Sequence, residues 1–205
     1  IVNSLVLSDQ PKNNNVRKIV IFASGSGSNT ENIIRYFENS ENIKVVAVFS
    51  NKRNARVLRR AYDLDVQALH FDRDSFYHSN DVLHVLKDID PDLIILAGFL
   101  WMVPKNIIEN FPNRIINVHP ALLPNYGGKG MYGMRVHEAI ITNKEKESGI
   151  TIHFVNEHYD EGEHIFQAKT IIEEHDSPES LASKIHELEH HHFPMVIEQL
   201  LKKDS

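Results

Sequence analysis

Cysteine is absent from all 205 residues, which excludes a disulfide scaffold, a thiolate nucleophile and any cysteine-ligated zinc or iron–sulfur site. Surplus positive charge is missing too: 22 Lys and Arg stand against 28 Asp and Glu, a net charge of −6 at pH 7. That balance argues against a broad electrostatic grip on DNA or RNA, while leaving room for one local phosphate pocket. No run approaches the roughly eighteen continuous apolar residues of a membrane span, and mean hydropathy is −0.32. The opening stretch IVNSLVLSDQPKNNN has no basic segment ahead of its short apolar run and no small-residue cleavage pattern, so a cytoplasmic location is expected. What remains is an ordinary folding composition, 41% hydrophobic and 24% charged, with one abundant oddity in its 13 histidines.

Residues 1–15 read as a loose, polar arm and 16–205 as one domain, with neither an internal repeat nor a linker-like stretch. Within that domain VRKIVIFA (16–23), IKVVAVFS (43–50), VQALH (66–70) and DLIILAGF (92–99) read as strands, almost continuously apolar. Amphipathic helices are expected between them, at 30–39, 55–62 and 75–88. Such an alternation predicts an α/β fold, a Rossmann-like, mostly parallel sheet with helices on both faces. Further along, 104–110 reads as a short helix with Pro104 at its first position, RIINVHP (114–120) as a strand, and 134–142 as a helix. Residues 149–155 and 164–172 read as late antiparallel strands around the loop 156–163. A long final helix over 180–201 is capped by Ser177, with Pro178 following.

Two places combine chemistry with position. Ser24-Gly25-Ser26-Gly27-Ser28-Asn29 joins the first core strand to its helix, where glycines admit a close ligand and a helix N terminus offers unpaired N–H groups to an anion. The third glycine of G-x-G-x-x-G and the Gly-Lys of a Walker loop are both missing, so a monophosphate fits better than NAD or a nucleoside triphosphate; a plain connecting turn is the bland alternative. Ser50-Asn51-Lys52 carries no acid for ribose hydroxyls, which again argues against NAD, and Lys52 and Arg53 read as solvated surface charge. Asn117-Val118-His119-Pro120 ends an apolar strand, the usual place for chemistry in an open α/β sheet. Asn117 and His119 fall on one strand face, an amide donor for an oxyanion beside a group that exchanges protons near neutrality, although a core histidine bonded to a carbonyl would look the same. Asp160, in the loop HYDEG, matters only if it reaches His119.

The other histidines are weaker signals. His190, His191 and His192 are consecutive in a helix and point about 100° apart, so they cannot converge on one ion. His186-Glu187-Leu188-Glu189-His190 fits H-E-x-x-H by letter, but no third ligand or peptide cleft accompanies it, and no metal is expected. His70, His78, His84 and His137 read as packed or surface groups. His153 is a partial exception, in a strand that ends near the Asp160 loop.

With those residues in view, the sequence resembles the phosphoribosylglycinamide formyltransferases, folate-dependent enzymes of purine biosynthesis. The resemblance is carried by IVIFASGSGSNTENII, VAVFSNK, PDLIILAGF, RIINVHPALLP, GKGMYGMRVHEAI, SGITIHFVNEHYDEGEHIFQAK and LASKIHELEHHHFPMVI, which span nearly everything from 16 to 200. It implies a single formyltransferase domain over 16–205 that moves a formyl group from 10-formyltetrahydrofolate, a co-substrate, to the amine of glycinamide ribonucleotide. Asn117, His119 and Asp160 then stand at the catalytic positions, and Gly27, Ser28 and Asn29 in the phosphate loop. Glu189 meets the ribonucleotide from the last helix, with His186 where a glutamine is common. Trp101, Met102, Val103, Asn156, Glu157, His158 and Tyr159 stand around the folate. Two departures concern the folate and the loop: Trp101 replaces a commonly basic residue, and NYGGKGMYG replaces a shorter run. The implied partners are glycinamide ribonucleotide and reduced folate, with no nucleic acid, no membrane and no metal, in a monomer or homodimer. Transfer-RNA formylases and formyltetrahydrofolate hydrolases share the Asn, His and Asp arrangement, but typically carry a second domain for which 205 residues leave no room.

Overall fold

Apolar strands need cover on both faces, and the computed structural model, which describes residues 16–203, supplies it. Five parallel strands, β1 (Arg17–Phe22), β2 (Ile43–Ser50), β3 (Gln67–His70), β4 (Leu93–Leu96) and β5 (Ile115–His119), are followed by β6 (Glu147–Phe154) and β7 (His164–Ile171), each antiparallel to its neighbour. The order across the seven-stranded sheet is β3-β2-β1-β4-β5-β6-β7. The expected arm at 1–15 lies outside the described residues.

Strand alternation sends successive residues of β1 to opposite cores. Ile19 and Ile21 pack with α1 (Ser28–Phe37), α2 (Arg56–Asp63), α6 (Met134–Thr142) and α7 (Pro178–Lys203). Val20 and Phe22 face α3 (Arg73–Tyr77), α4 (Asp81–Ile89) and α5 (Lys105–Asn110). One helix expected over 75–88 is therefore two, parted at Asn80, whose φ of 62° is left-handed and ends any helical run. The strand expected at 92–99 stops at Leu96, because Gly98 turns the chain at φ 69°. Pro104 is the N-cap of α5 rather than its first helical residue.

The last helix is docked through a defect. Pro194 lies inside α7 and has no N–H for the carbonyl of His190 four residues earlier. Asn32 of α1 fills the gap, its Nδ2 donating to His190 O at 2.7 Å. At the other end Ser177 caps as expected, accepting from Ser180 N at 3.2 Å.

Candidate functional site

Strands β1 to β3 progress in one direction and β4 lies on the other side of β1, so the crevice beyond the ends of β1 and β4 is a topological switch point. A cavity of about 840 Å³ opens there. Its wall is continued by the end of β5, the loops after 127 and 155, and one face of α7.

Gly27 closes the glycine-containing loop after β1. It is the N-cap of α1 at φ 79°, and no side chain caps that terminus. A Cβ at Gly27 would collide with Val57, so glycine is required twice over, by conformation and by space. The N terminus of α1, with its positive end potential, thus faces the cavity beside Ser28 and Asn29. Ser24 braces this loop by donating to Asn51 Oδ1 at 2.7 Å and accepting from Leu100 N at 3.0 Å. Asn29 Nδ2 donates to Glu189 Oε2 at 2.7 Å, joining the loop to α7, and His186 Nδ1 lies 3.4 Å from the same carboxylate oxygen. Lys52 and Arg53 are exposed and outside the cavity wall, as surface charges.

At the end of β5 the sheet register does the positioning. Asn117 is paired with His153 across the β5–β6 ladder, and their side chains meet, Asn117 Nδ2 to His153 Nε2, at 3.2 Å. His153 Nδ1 is 2.8 Å from Phe154 O. A carbonyl only accepts, so Nδ1–H donates to it, and Nε2 accepts from the Asn117 amide nitrogen, which can only donate. That orients the Asn117 amide and leaves its second N–H for another acceptor. Asp160 sits between two imidazoles, its Oδ2 3.5 Å from His119 Nδ1 and its Oδ1 3.6 Å from His153 Nε2. Gly128 N also donates to Asp160 Oδ2 at 2.9 Å, and His119 donates Nε2–H to Tyr126 O at 2.8 Å.

Burial sets the protonation. His119 is only 3% exposed, and desolvation pushes its pKa below 6.5 despite the pull of Asp160. Burial alone would raise the Asp160 carboxyl, but contact with His153, the charge of His119 and the Gly128 N–H together hold it below its ordinary 3.8. The pair therefore consists of a neutral imidazole and an ionised carboxylate near neutral pH, a unit able to take up one proton.

The apolar end of the cavity is built on aromatic packing. The Trp101 ring lies 6.1 Å from Phe71, 6.0 Å from Phe76 and 5.9 Å from Tyr77, with the Arg73 guanidinium 5.8 Å above it. Tyr77 donates its hydroxyl to Met102 O at 2.8 Å. Trp101, Met102, Val103, Asn156, His158 and Tyr159 line the cavity, and Glu157, outside the lining, pairs with Lys105 at 3.3 Å. Two residues were undervalued by sequence reasoning. His153 gave a faint signal through its strand, whereas His137 gave none, since nothing in helical spacing marks it as a cavity residue. Although His186 and His190 stack with ring centroids 4.0 Å apart, no group of three or more His, Asp or Glu side chains able to hold a metal ion occurs among the described residues.

Against known proteins, the family model described as formyl transferase matches residues 17–197. The chain belongs to the formyl transferase family. Among related formyl transferases, the chloroplastic phosphoribosylglycinamide formyltransferase of Arabidopsis thaliana is 37% identical over 180 residues, 85% of this chain and 62% of that protein. The chain likewise spans 62% of the corresponding Vigna unguiculata protein. The phosphoribosylglycinamide formyltransferase of Bacillus subtilis is 32% identical over 191 residues, 91% of this chain and 95% of its own length. Among solved formyl transferase structures, glycinamide ribonucleotide transformylase 1 from Symbiobacterium toebii superposes with a TM-score of 0.81 at 31% identity, covering 93% of this chain and 91% of that one. The Anaplasma phagocytophilum enzyme gives a TM-score of 0.83 at 30% identity, covering 92% and 88%. The Rossmann-like, mostly parallel sheet with late antiparallel strands is thus the architecture of these formyl transferases.

Proposed function

We propose that this chain transfers the formyl group of 10-formyltetrahydrofolate to the amine of glycinamide ribonucleotide, giving formylglycinamide ribonucleotide for purine biosynthesis. The observation that carries this reading is the convergence, in one cavity, of an uncapped helix N terminus at Gly27 with Asn117, His119 and Asp160. Names of relatives spanning most of the chain agree with it.

In this reading the ribonucleotide phosphate takes the backbone N–H groups of Gly27, Ser28 and Asn29, and Glu189 and His186 meet the ribonucleotide from α7. The folate lies against Trp101, Met102, Val103, Asn156, His158 and Tyr159, with Glu157, paired to Lys105, beside them in the same loop. The amine attacks the formyl carbon, a C–N bond forms, and the carbonyl oxygen becomes an oxyanion. The free N–H of Asn117, aimed by His153, donates to that oxygen. The proton leaving the attacking nitrogen passes to the His119–Asp160 pair and then to the departing folate nitrogen as its C–N bond breaks. No covalent enzyme intermediate or metal is part of this scheme. A cytoplasmic setting, free of nucleic acid and membrane, belongs to the same proposal.

The test is an absorbance assay of folate deformylation with and without glycinamide ribonucleotide. Turnover that requires the ribonucleotide supports transfer; equal turnover without it points to hydrolysis and overturns the proposal.

A further inference from the structure

His137 lies on α6, and the charged groups that act on it are Glu189 of α7 and His119 of β5, both of which line the same cavity. The residue is 5% exposed and lines the cavity. Its Nδ1 is fully buried without a hydrogen-bond partner, and no carboxylate lies within ion-pairing distance of the ring among the described residues. Burial pushes its pKa below 6.5 and outweighs the more distant charge of Glu189, which favours protonation, so the ring is neutral near neutral pH.

A neutral imidazole has one proton to place. On Nδ1 it would be a buried donor with nothing to bond, the costly case; an unpaired lone pair there is the cheaper one. The proton therefore sits on Nε2, the ring nitrogen left to the cavity. We infer that His137 is a substrate-binding residue, whose neutral Nε2–H donates to an oxygen of the ribonucleotide between the reacting amine and the phosphate. The placement carries this. Asn29 and Glu189 are bonded to one another and close the phosphate end, while His119 marks the transfer end. Because Nε2–H is the sole donor of a neutral ring, the interaction selects a hydrogen-bond acceptor at that point.

This inference rests on the formyl-transfer reading, and the test separates the two. Steady-state constants for both substrates, and calorimetric binding of the ribonucleotide alone, would be measured for the unmodified chain, His137→Leu, His137→Gln and His137→Asn. A Gln side chain carries its amide nitrogen near the position of Nε2, whereas that of Asn is too short. The expected result is a ribonucleotide KM and Kd raised about 5–10-fold in the Leu and Asn variants, the worth of one neutral hydrogen bond. Gln should restore both constants, with folate KM and kcat little changed throughout. Equal constants in all four proteins, equal losses in Leu and Gln, or a fall in kcat alone would overturn the inference. Should the Leu variant not fold, the contrast between Gln and Asn decides. Failure of the unmodified chain to transfer formyl would instead remove the reading on which the inference rests.

Discussion

Asn117 and His153 are direct partners across the antiparallel β5–β6 ladder, and the imidazole Nε2 accepts from the amide Nδ2 at 3.2 Å. The Asn117 amide is thus aimed by the pairing of two strands rather than by a loop. Replacing Asn117 with Ala should lower kcat about 10²–10³-fold, the usual loss of an oxyanion donor. His153→Leu should lower it less, with the ribonucleotide KM unchanged, because it removes aim and not the donor. A double-mutant cycle is the check: the two losses should be markedly non-additive, and simple additivity would show that His153 does not act through Asn117.

Asp160 holds its charge against burial through several partners. Asp160→Asn preserves size and an oxygen for the Gly128 N–H, yet removes the acceptor that completes the proton-sharing pair. We expect kcat to fall about 10²–10⁴-fold while the ribonucleotide Kd measured by calorimetry is unchanged. Full activity in that variant removes Asp160 from the chemistry.

The conformation of Gly27 should be read out in stability as well as in binding. Ala at this position must adopt a positive φ and press on Val57. A loss of at least about 1–2 kcal/mol in urea unfolding is expected, with a raised ribonucleotide KM. Pairing it with Val57→Ala should recover little of the loss, because that change removes Cγ2 while the Cβ and backbone Cα of residue 57 still stand 2.6 and 2.8 Å from the added Cβ.

Acid sensitivity follows from the buried imidazoles. The pKa values of His119 and His137 are both pushed below 6.5, so between their folded values and 6.5 the unfolded chain binds more protons than the folded one. Their contribution is complete above 6.5 and is lost as pH falls through that window. Urea midpoints should therefore drop from pH 7 to pH 5, and His137→Leu should flatten the slope. A midpoint independent of pH in this range would contradict the assigned neutral rings.

Most of the scaffold was legible because doubly covered strands are apolar throughout, so the spans of β2 and α6 emerged at the residues found. The break at Asn80 was not, since asparagine permits a left-handed turn without requiring one. At the site, residues that end strands were readable from position: Asn117 and His119 lie where an apolar strand stops. Contacts set by register were not. His153 meets Asn117 only because β6 runs back along β5, and no spacing in the sequence states that pairing. The pairing of Glu157 with Lys105 was hidden for a related reason, since a loop of polar residues does not disclose which of them meets a neighbouring helix.

Pro194 has the effect of an index mark. A helix of 26 residues resting on an apolar surface can slip by a turn, about 5.4 Å, while keeping much of its greasy contact. One carbonyl stripped of its internal partner picks out a single height, and Asn32 reads it. Glu189, one residue before that carbonyl, is thereby delivered level with Asn29. The alignment of the last helix with the first is set by a missing hydrogen, so restoring that hydrogen with Pro194→Ala strengthens the helix locally and loosens the gauge by which the site is assembled.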